Sequence, residues 1–207
     1  MNNLVKSSKS ESKDKVILSD IYKDDVNIAI WQRNLSNELS ISAKNYLDID
    51  SSVSTLCTII KSTNVNRLVS QQLPDFSFKN YLIDDIANII DMFCYLFDLK
   101  QVGLRLATIN KAMCPRFHID HVPCRLITSY SSTATEWLYN QDVDRSLLGK
   151  VDNPFTDKEI QIQKPNIGDV ALLKGESWIG NSGSGLVHRS PNIIDGKTRL
   201  LLTLDFA

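Results

Sequence analysis

The chain has 207 residues, 43% of them hydrophobic and 23% charged, with a formal net charge of −1. This near-neutral balance lacks the basic excess of a nucleic-acid footprint, and no apolar run approaches the roughly 18 residues that a bilayer crossing needs. Four scattered cysteines, Cys57, Cys94, Cys114 and Cys124, do not form the spacing of a disulfide framework.

The first stretch, Met1 to Lys15, is rich in Ser and Lys. It has no apolar h-region and so reads as a disordered tail, not a secretory signal. With reduced thiols this points to a cytoplasmic protein. Residues 16–207 are expected to form one domain, mainly helical over 16–100 and mainly strand over 101–207. Glycine and proline punctuate turns, and all eight glycines lie at Gly103 or later, with five of six prolines at Pro115 or later. A short strand is predicted over Val26 to Trp31, where Val26, Ile28 and Ile30 alternate. A helix follows over Ser36 to Leu47, with Ser36 as N-cap. The clearest helix is Lys79 to Asp98: Leu82, Ile83, Ile86, Ile89, Ile90, Phe93 and Phe97 recur at spacings of three and four and form one apolar stripe.

Beyond that helix the pattern changes to strands. They are predicted at Val102 to Ile109, Phe117 to Val122, Arg125 to Ser131, Thr135 to Leu138, Glu159 to Gln163, Asp169 to Lys174, Gly185 to Arg189 and Thr198 to Phe206. Turn signals such as Pro165-Asn166-Ile167-Gly168 and Gly180-Asn181-Ser182-Gly183 separate most of them. The predicted class is α+β: a jelly-roll (double-stranded β-helix, cupin-like) core with the N-terminal helices packed on one face.

The three histidines fall in two short segments, Phe117-His118-Ile119-Asp120-His121 and Leu186-Val187-His188-Arg189. Side chains alternate faces along a strand, so His118 and Asp120 point the same way. On a helix they would diverge by about 200°. With His188 from a distant strand they make a two-His-one-carboxylate set, suited to Fe(II) or to another divalent transition metal such as Zn, Mn or Ni. His121 points to the opposite face. Arg199 follows His188 on an apolar strand, where a buried guanidinium needs a partner. One partner is a carboxylate ligand such as the far end of 2-oxoglutarate; the alternative is an internal salt bridge. Thr203 shares its face by period two, and Arg125 starts a strand that reaches the same cavity. Cys114, His118, His121 and Cys124 also spell C-x3-H-x2-H-x2-C, a donor set for zinc in a metal-handling protein without turnover. Glu136 reads either as a partner of a ligand histidine or as a solvated acid.

These residues resemble the Fe(II)/2-oxoglutarate-dependent dioxygenase superfamily. The resemblance extends to Arg125-Leu126-Ile127-Thr128-Ser129-Tyr130, to Thr135-Glu136-Trp137-Leu138, and to Pro165-Asn166-Ile167-Gly168-Asp169 before the distal histidine. More narrowly, Cys114-Pro115-Arg116-Phe117-His118-Ile119-Asp120, His188-Arg189-Ser190-Pro191 and Ile28-Ala29-Ile30-Trp31-Gln32-Arg33 are similar to an uncharacterised bacterial family of unknown function. The superfamily resemblance implies a double-stranded β-helix, iron held by His118, Asp120 and His188, and 2-oxoglutarate held by Arg199. A hydroxyl from Tyr130 would join that co-substrate site. Where superfamily members often carry a Gly-rich turn, this chain has Ser131-Ser132-Thr133-Ala134. The substrate, a small molecule or a protein, is not named by any of these features. A cupin-like metalloenzyme without 2-oxoglutarate uses the same triad.

Overall fold

The computed structural model describes residues 8–49, 55–156, 160–193 and 197–207. In chain order the elements are β1 (Ser8–Ser12), a 3-10 helix (Lys15–Tyr22), β2 (Val26–Trp31), α1 (Asn37–Ile49), β3 (Thr55–Lys61), α2 (Val65–Gln72) and α3 (Lys79–Phe97). Then come β4 (Gln101–Ile109), β5 (Cys124–Ser129), β6 (Glu136–Leu138), β7 (Val170–Lys174), β8 (Val187–Arg189) and β9 (Arg199–Phe206). The fold is α+β. A seven-stranded mixed sheet runs β1-β2-β7-β5-β9-β4-β3, and β6 pairs with β8 in a small second sheet. β1 and β2 are parallel, while the other pairs in the large sheet are antiparallel.

The alternation of side chains sorts the large sheet into two faces. On β4, β5, β7 and β9 the apolar even-numbered residues, among them Leu104, Leu126, Leu172 and Leu202, pack on the helices. Their core partners are Leu82, Ile86, Ile89, Ile90 and Phe93 of α3, the stripe read from the sequence. The odd-numbered residues Ala107, Ile127, Leu173 and Leu201 face the small sheet and pack with Trp137 and Leu186. Ser36 caps α1 as expected, its Oγ accepting from Leu39 N at 3.1 Å, which satisfies one of the free amides of the first turn.

Three expectations change. The front part holds α1, α2 and α3, yet β1, β2 and β3 also supply three strands of the large sheet. Two of them are edge strands, and an edge strand needs apolar residues on one side at most. Ser8–Ser12 therefore forms a strand although its sequence is SKSES, and the expected tail fails there; residues 1–7 lie outside those described. Phe117 to Val122 is not a strand. Pro115 and Pro123 bracket it, and proline removes the amide a ladder needs. It keeps one bridge, His118 to His188. Of the strand expected over Glu159 to Gln163, Glu159 lies outside the described residues and Gln163 makes a single bridge to Trp137.

Candidate metal centre and adjoining cavity

The bridge at His118 builds the site. His118 N donates to His188 O at 2.9 Å, and His188 N donates to His118 O at 3.0 Å. Such a reciprocal antiparallel pair puts both side chains on one side, and the two imidazole rings lie 4.6 Å apart between centroids. Asp120, two residues after His118, brings its carboxylate to the same point. His188 Nε2 lies 3.3 Å from Asp120 Oδ2, and His118 Nε2 lies 3.8 Å from Asp120 Oδ1. One ligand atom from each of the three lies within 4.8 Å of the others. The segment is clamped from behind: Glu176 N donates to Asp120 O at 2.9 Å. Gly175 lies so close that a Cβ there would sit 1.9 Å from Val122 O, which explains a glycine at that position.

The second nitrogen of each ring sets the tautomer. His118 Nδ1 lies 3.0 Å from Arg116 O and His188 Nδ1 lies 3.1 Å from Leu186 O. A carbonyl only accepts, so each Nδ1 carries the proton and each Nε2 keeps a free lone pair aimed at the cluster. Burial, and then the adjacent His188, hold His118 below its ordinary pKa, favouring the neutral ligand form. Burial pushes the Asp120 carboxyl up, but close contact with His188 and the nearby Arg125 charge outweigh it and bring the group down to about 2. Two neutral imidazoles and one carboxylate are a fitting donor set for a divalent transition metal.

Beside the cluster opens a cavity of about 610 Å³, lined by His118 and His188, by Arg199 and Thr203 of β9, and by Arg125 and Arg105. Arg199 is 1% exposed. Its Nε and Nη2 donate to Ser129 Oγ at 3.1 and 2.9 Å, and Nη2 donates to Thr135 Oγ1 at 2.8 Å. Among the described residues it makes no ion pair, so the internal salt bridge is not formed. Burial brings its pKa down to about 10.

Two candidate residues do other work. Tyr130 is on the wrong face for the cavity. It shares the parity of Leu126, packs with the helix-side core, and donates its hydroxyl to Asp85 Oδ2 at 2.7 Å. Arg125 reaches the cavity wall but is engaged there. Its Nε and Nη2 clasp Asp205 at 2.8 Å each, and its Nη1 donates to Asp120 Oδ2 at 2.7 Å. It holds the Asp120 carboxylate in place. The zinc set does not assemble: Cys124 is buried on the helix side and His121 is exposed. Glu136 accepts from Arg189 Nε at 2.7 Å, and that guanidinium lies over the Phe117 ring at 4.2 Å.

A family model matches residues 12–205. The chain belongs to the family described as "Protein of unknown function (DUF1826)". Comparison of this DUF1826 chain with curated proteins gives no match. Among solved structures it is similar to the dioxygenase for auxin oxidation (DAO) of rice, with a TM-score of 0.60 at 9% identity over 97% of this chain and 82% of that one. It is also similar to dioxygenase for auxin oxidation 1 from Arabidopsis thaliana, solved as a complex with 2-oxoglutarate. There the TM-score is 0.55 at 11% identity, over 97% of this chain and 92% of that one. At such identities the likeness is one of fold.

Sequence reasoning missed Ser129 and Thr135 as the partners of Arg199 in this DUF1826 protein. Parity was the available signal for Ser129, which shares the face of Arg125 and Ile127. Thr135 sits just ahead of β6 and carries no such signal.

Proposed function

We propose that this protein is a non-haem Fe(II)/2-oxoglutarate-dependent dioxygenase on a double-stranded β-helix core, oxidising its substrate by a hydroxylase-type reaction. The carrying observation is Arg199: a buried guanidinium whose partners among the described residues are hydroxyls, opening on the same cavity as the His118–Asp120–His188 cluster. An unpaired buried cation is costly, and a carboxylate ligand supplies the missing counter-charge. The fold shared with 2-oxoglutarate-binding dioxygenases supports the same reading.

In this reading His118 and His188 present Nε2, and Asp120 an oxygen, to the iron. Arg125 holds Asp120 in place and Asp205 fixes Arg125. Arg199 takes the far carboxylate of 2-oxoglutarate through its Nη1, which has no partner among the described residues, with Thr203 on the same wall. Ser129 and Thr135 orient the guanidinium. Iron with its co-substrate supplies the oxidising chemistry that activates oxygen. The apolar side of the cavity, including Leu201 and Ile127, limits water around the reacting group.

The test is titration of 2-oxoglutarate into the anaerobic Fe(II)-loaded protein, reading the visible metal-to-ligand charge-transfer band. Saturable growth of that band is the expected result. Its absence at millimolar co-substrate, in protein shown to hold iron, removes 2-oxoglutarate and leaves a cupin-like metalloenzyme.

A further inference from the structure

Arg105 of β4 is a second cation in the cavity wall whose charge is not met by an acid. Its register partners are Cys57 on β3 and Thr203 on β9. Arg199 pairs with Ile109, four residues along β4. At about 3.4 Å per residue the two positions are roughly 13 Å apart along the strand direction. Arg199 is tethered at its own end by Ser129 and Thr135. Arg105 turns to the segment ahead of the metal ligands, where Nη2 donates to Met113 Sδ at 3.6 Å. A thioether is a weak acceptor and brings no charge.

The other arginines of the cavity wall are compensated. Arg125 is matched by Asp120 and Asp205, and Arg189 by Glu136. Arg199 is assigned to the co-substrate. Arg105 makes no ion pair among the described residues. Next to it the wall is apolar and open: Ile59 is 63% exposed and Met113 41%. Among the described residues no lysine lines the cavity, so the uncompensated charge beside Ile59 and Met113 is that of one guanidinium.

Resting on the dioxygenase reading, we infer that Arg105 anchors a carboxylate of the primary substrate, whose apolar body lies against Ile59 and Met113. The substrate class is therefore an apolar carboxylic acid. A single cation of fork geometry matches a monoanionic carboxylate bidentately. A phosphate dianion would leave a charge unmet. Arg105 is a specificity-determining residue here and plays no part in holding 2-oxoglutarate.

The experiment uses the full chain loaded with Mn(II) and 2-oxoglutarate, titrated calorimetrically with phenylbutyrate, octanoate, the two corresponding amides and phenethyl phosphate. At least one acid should bind about tenfold or more tightly than its amide, as a charge-assisted pair implies. Arg105→Met should bring acid and amide to within about twofold, while Arg105→Lys keeps part of the preference. Arg105→Met should also keep its melting temperature and its 2-oxoglutarate affinity within about twofold of the parent. The inference is overturned if neither acid outbinds its amide, if the phosphate is preferred, or if Arg105→Met weakens 2-oxoglutarate tenfold. Wild-type protein that fails to bind 2-oxoglutarate sinks the dioxygenase reading instead. The acid-against-amide comparison with Mn(II) alone then still decides the role of Arg105.

Discussion

Replacing Arg199 by Met separates a ligand-binding arginine from a structural one, because stability and binding should move in opposite directions. In the free protein the guanidinium is 1% exposed and bound, among the described residues, to hydroxyls alone. Burial lowers its pKa from 12.5 to about 10, so folding with the charge intact costs about 3 kcal/mol. Met fills similar space and carries no charge. Against that gain, Ser129 and Thr135 each lose a partner, at about 1 kcal/mol apiece. The balance is about 1 kcal/mol in favour of Arg199→Met, a rise of roughly 2–4 °C in Tm for a chain of this size. Arg199 is thus a base with a depressed pKa. Its penalty is fully present below about 10 and fades as pH rises from there towards 12.5, so the Tm gap should stay flat over roughly pH 6 to 9. Meanwhile 2-oxoglutarate loses a charge-assisted pair worth about 1.5–3 kcal/mol, and its Kd should rise roughly ten- to a hundredfold. The assays are thermal denaturation of metal-free protein and anaerobic titration of the Fe(II) form. A variant that melts several degrees lower and binds 2-oxoglutarate like the parent would refute the reasoning and make Arg199 a structural residue.

The remaining expectations concern the metal site and its neighbours. His118→Ala and His188→Ala should each abolish stoichiometric divalent metal binding by elemental analysis, whereas Cys114→Ala should leave it intact; the reverse result restores the zinc-cluster reading. Arg125→Met frees the Asp120 carboxylate and should weaken metal about ten- to a hundredfold, read by competition with a chelating dye; an unchanged affinity would count against its positioning role. Tyr130→Phe should leave 2-oxoglutarate affinity unchanged and cost about 1–2 kcal/mol in denaturant unfolding, since Asp85 loses a donor. In metal-free protein, His118 is held below its ordinary 6.5 by burial and by His188. The unfolded chain then binds more protons just below 6.5, and stability should fall as pH drops through that value. Asp120, held at about 2 against 3.8, adds a second loss as pH falls from 3.8 towards 2. His118→Gln should flatten the first decline in a Tm–pH series.

The His118–Asp120–His188 juxtaposition was legible because its geometry is local. His-x-Asp needs one extended dipeptide to bring two ligands together, and the rarity of histidine singled out His188. α3 was legible from its apolar stripe, and β4, β5, β7 and β9 from apolar runs that the sheet buries on both faces. The edge strands were not, since β1 is polar and β3 alternates between exposed and half-buried residues. Tyr130 shows a subtler loss. The superfamily resemblance sends its hydroxyl to the co-substrate, while its parity with Leu126 sends it to the helix side. Arg125 was placed correctly on the cavity wall, but the sequence holds no sign that Asp205, eighty residues away, would claim it.

The charges around the cavity make sense as one system. In the free protein Arg125 joins two carboxylates, Asp120 and Asp205, and leaves one negative charge over at the cluster. Arg199 carries one positive charge that no acid among the described residues meets. The two cancel in sum but lie apart, each costly where it sits. A divalent metal at the cluster overturns this balance and leaves the cavity two charges positive. A dicarboxylate that touches the metal at one end and Arg199 at the other restores neutrality, with each of its charges beside one of the two cations. A neutral or singly charged co-substrate leaves one end unmet. With that pair in place, the charge still outstanding is Arg105, which faces the apolar part of the wall. Arg105 is only half-buried, so water meets part of its charge, and a carboxylate of the molecule to be oxidised would meet the rest.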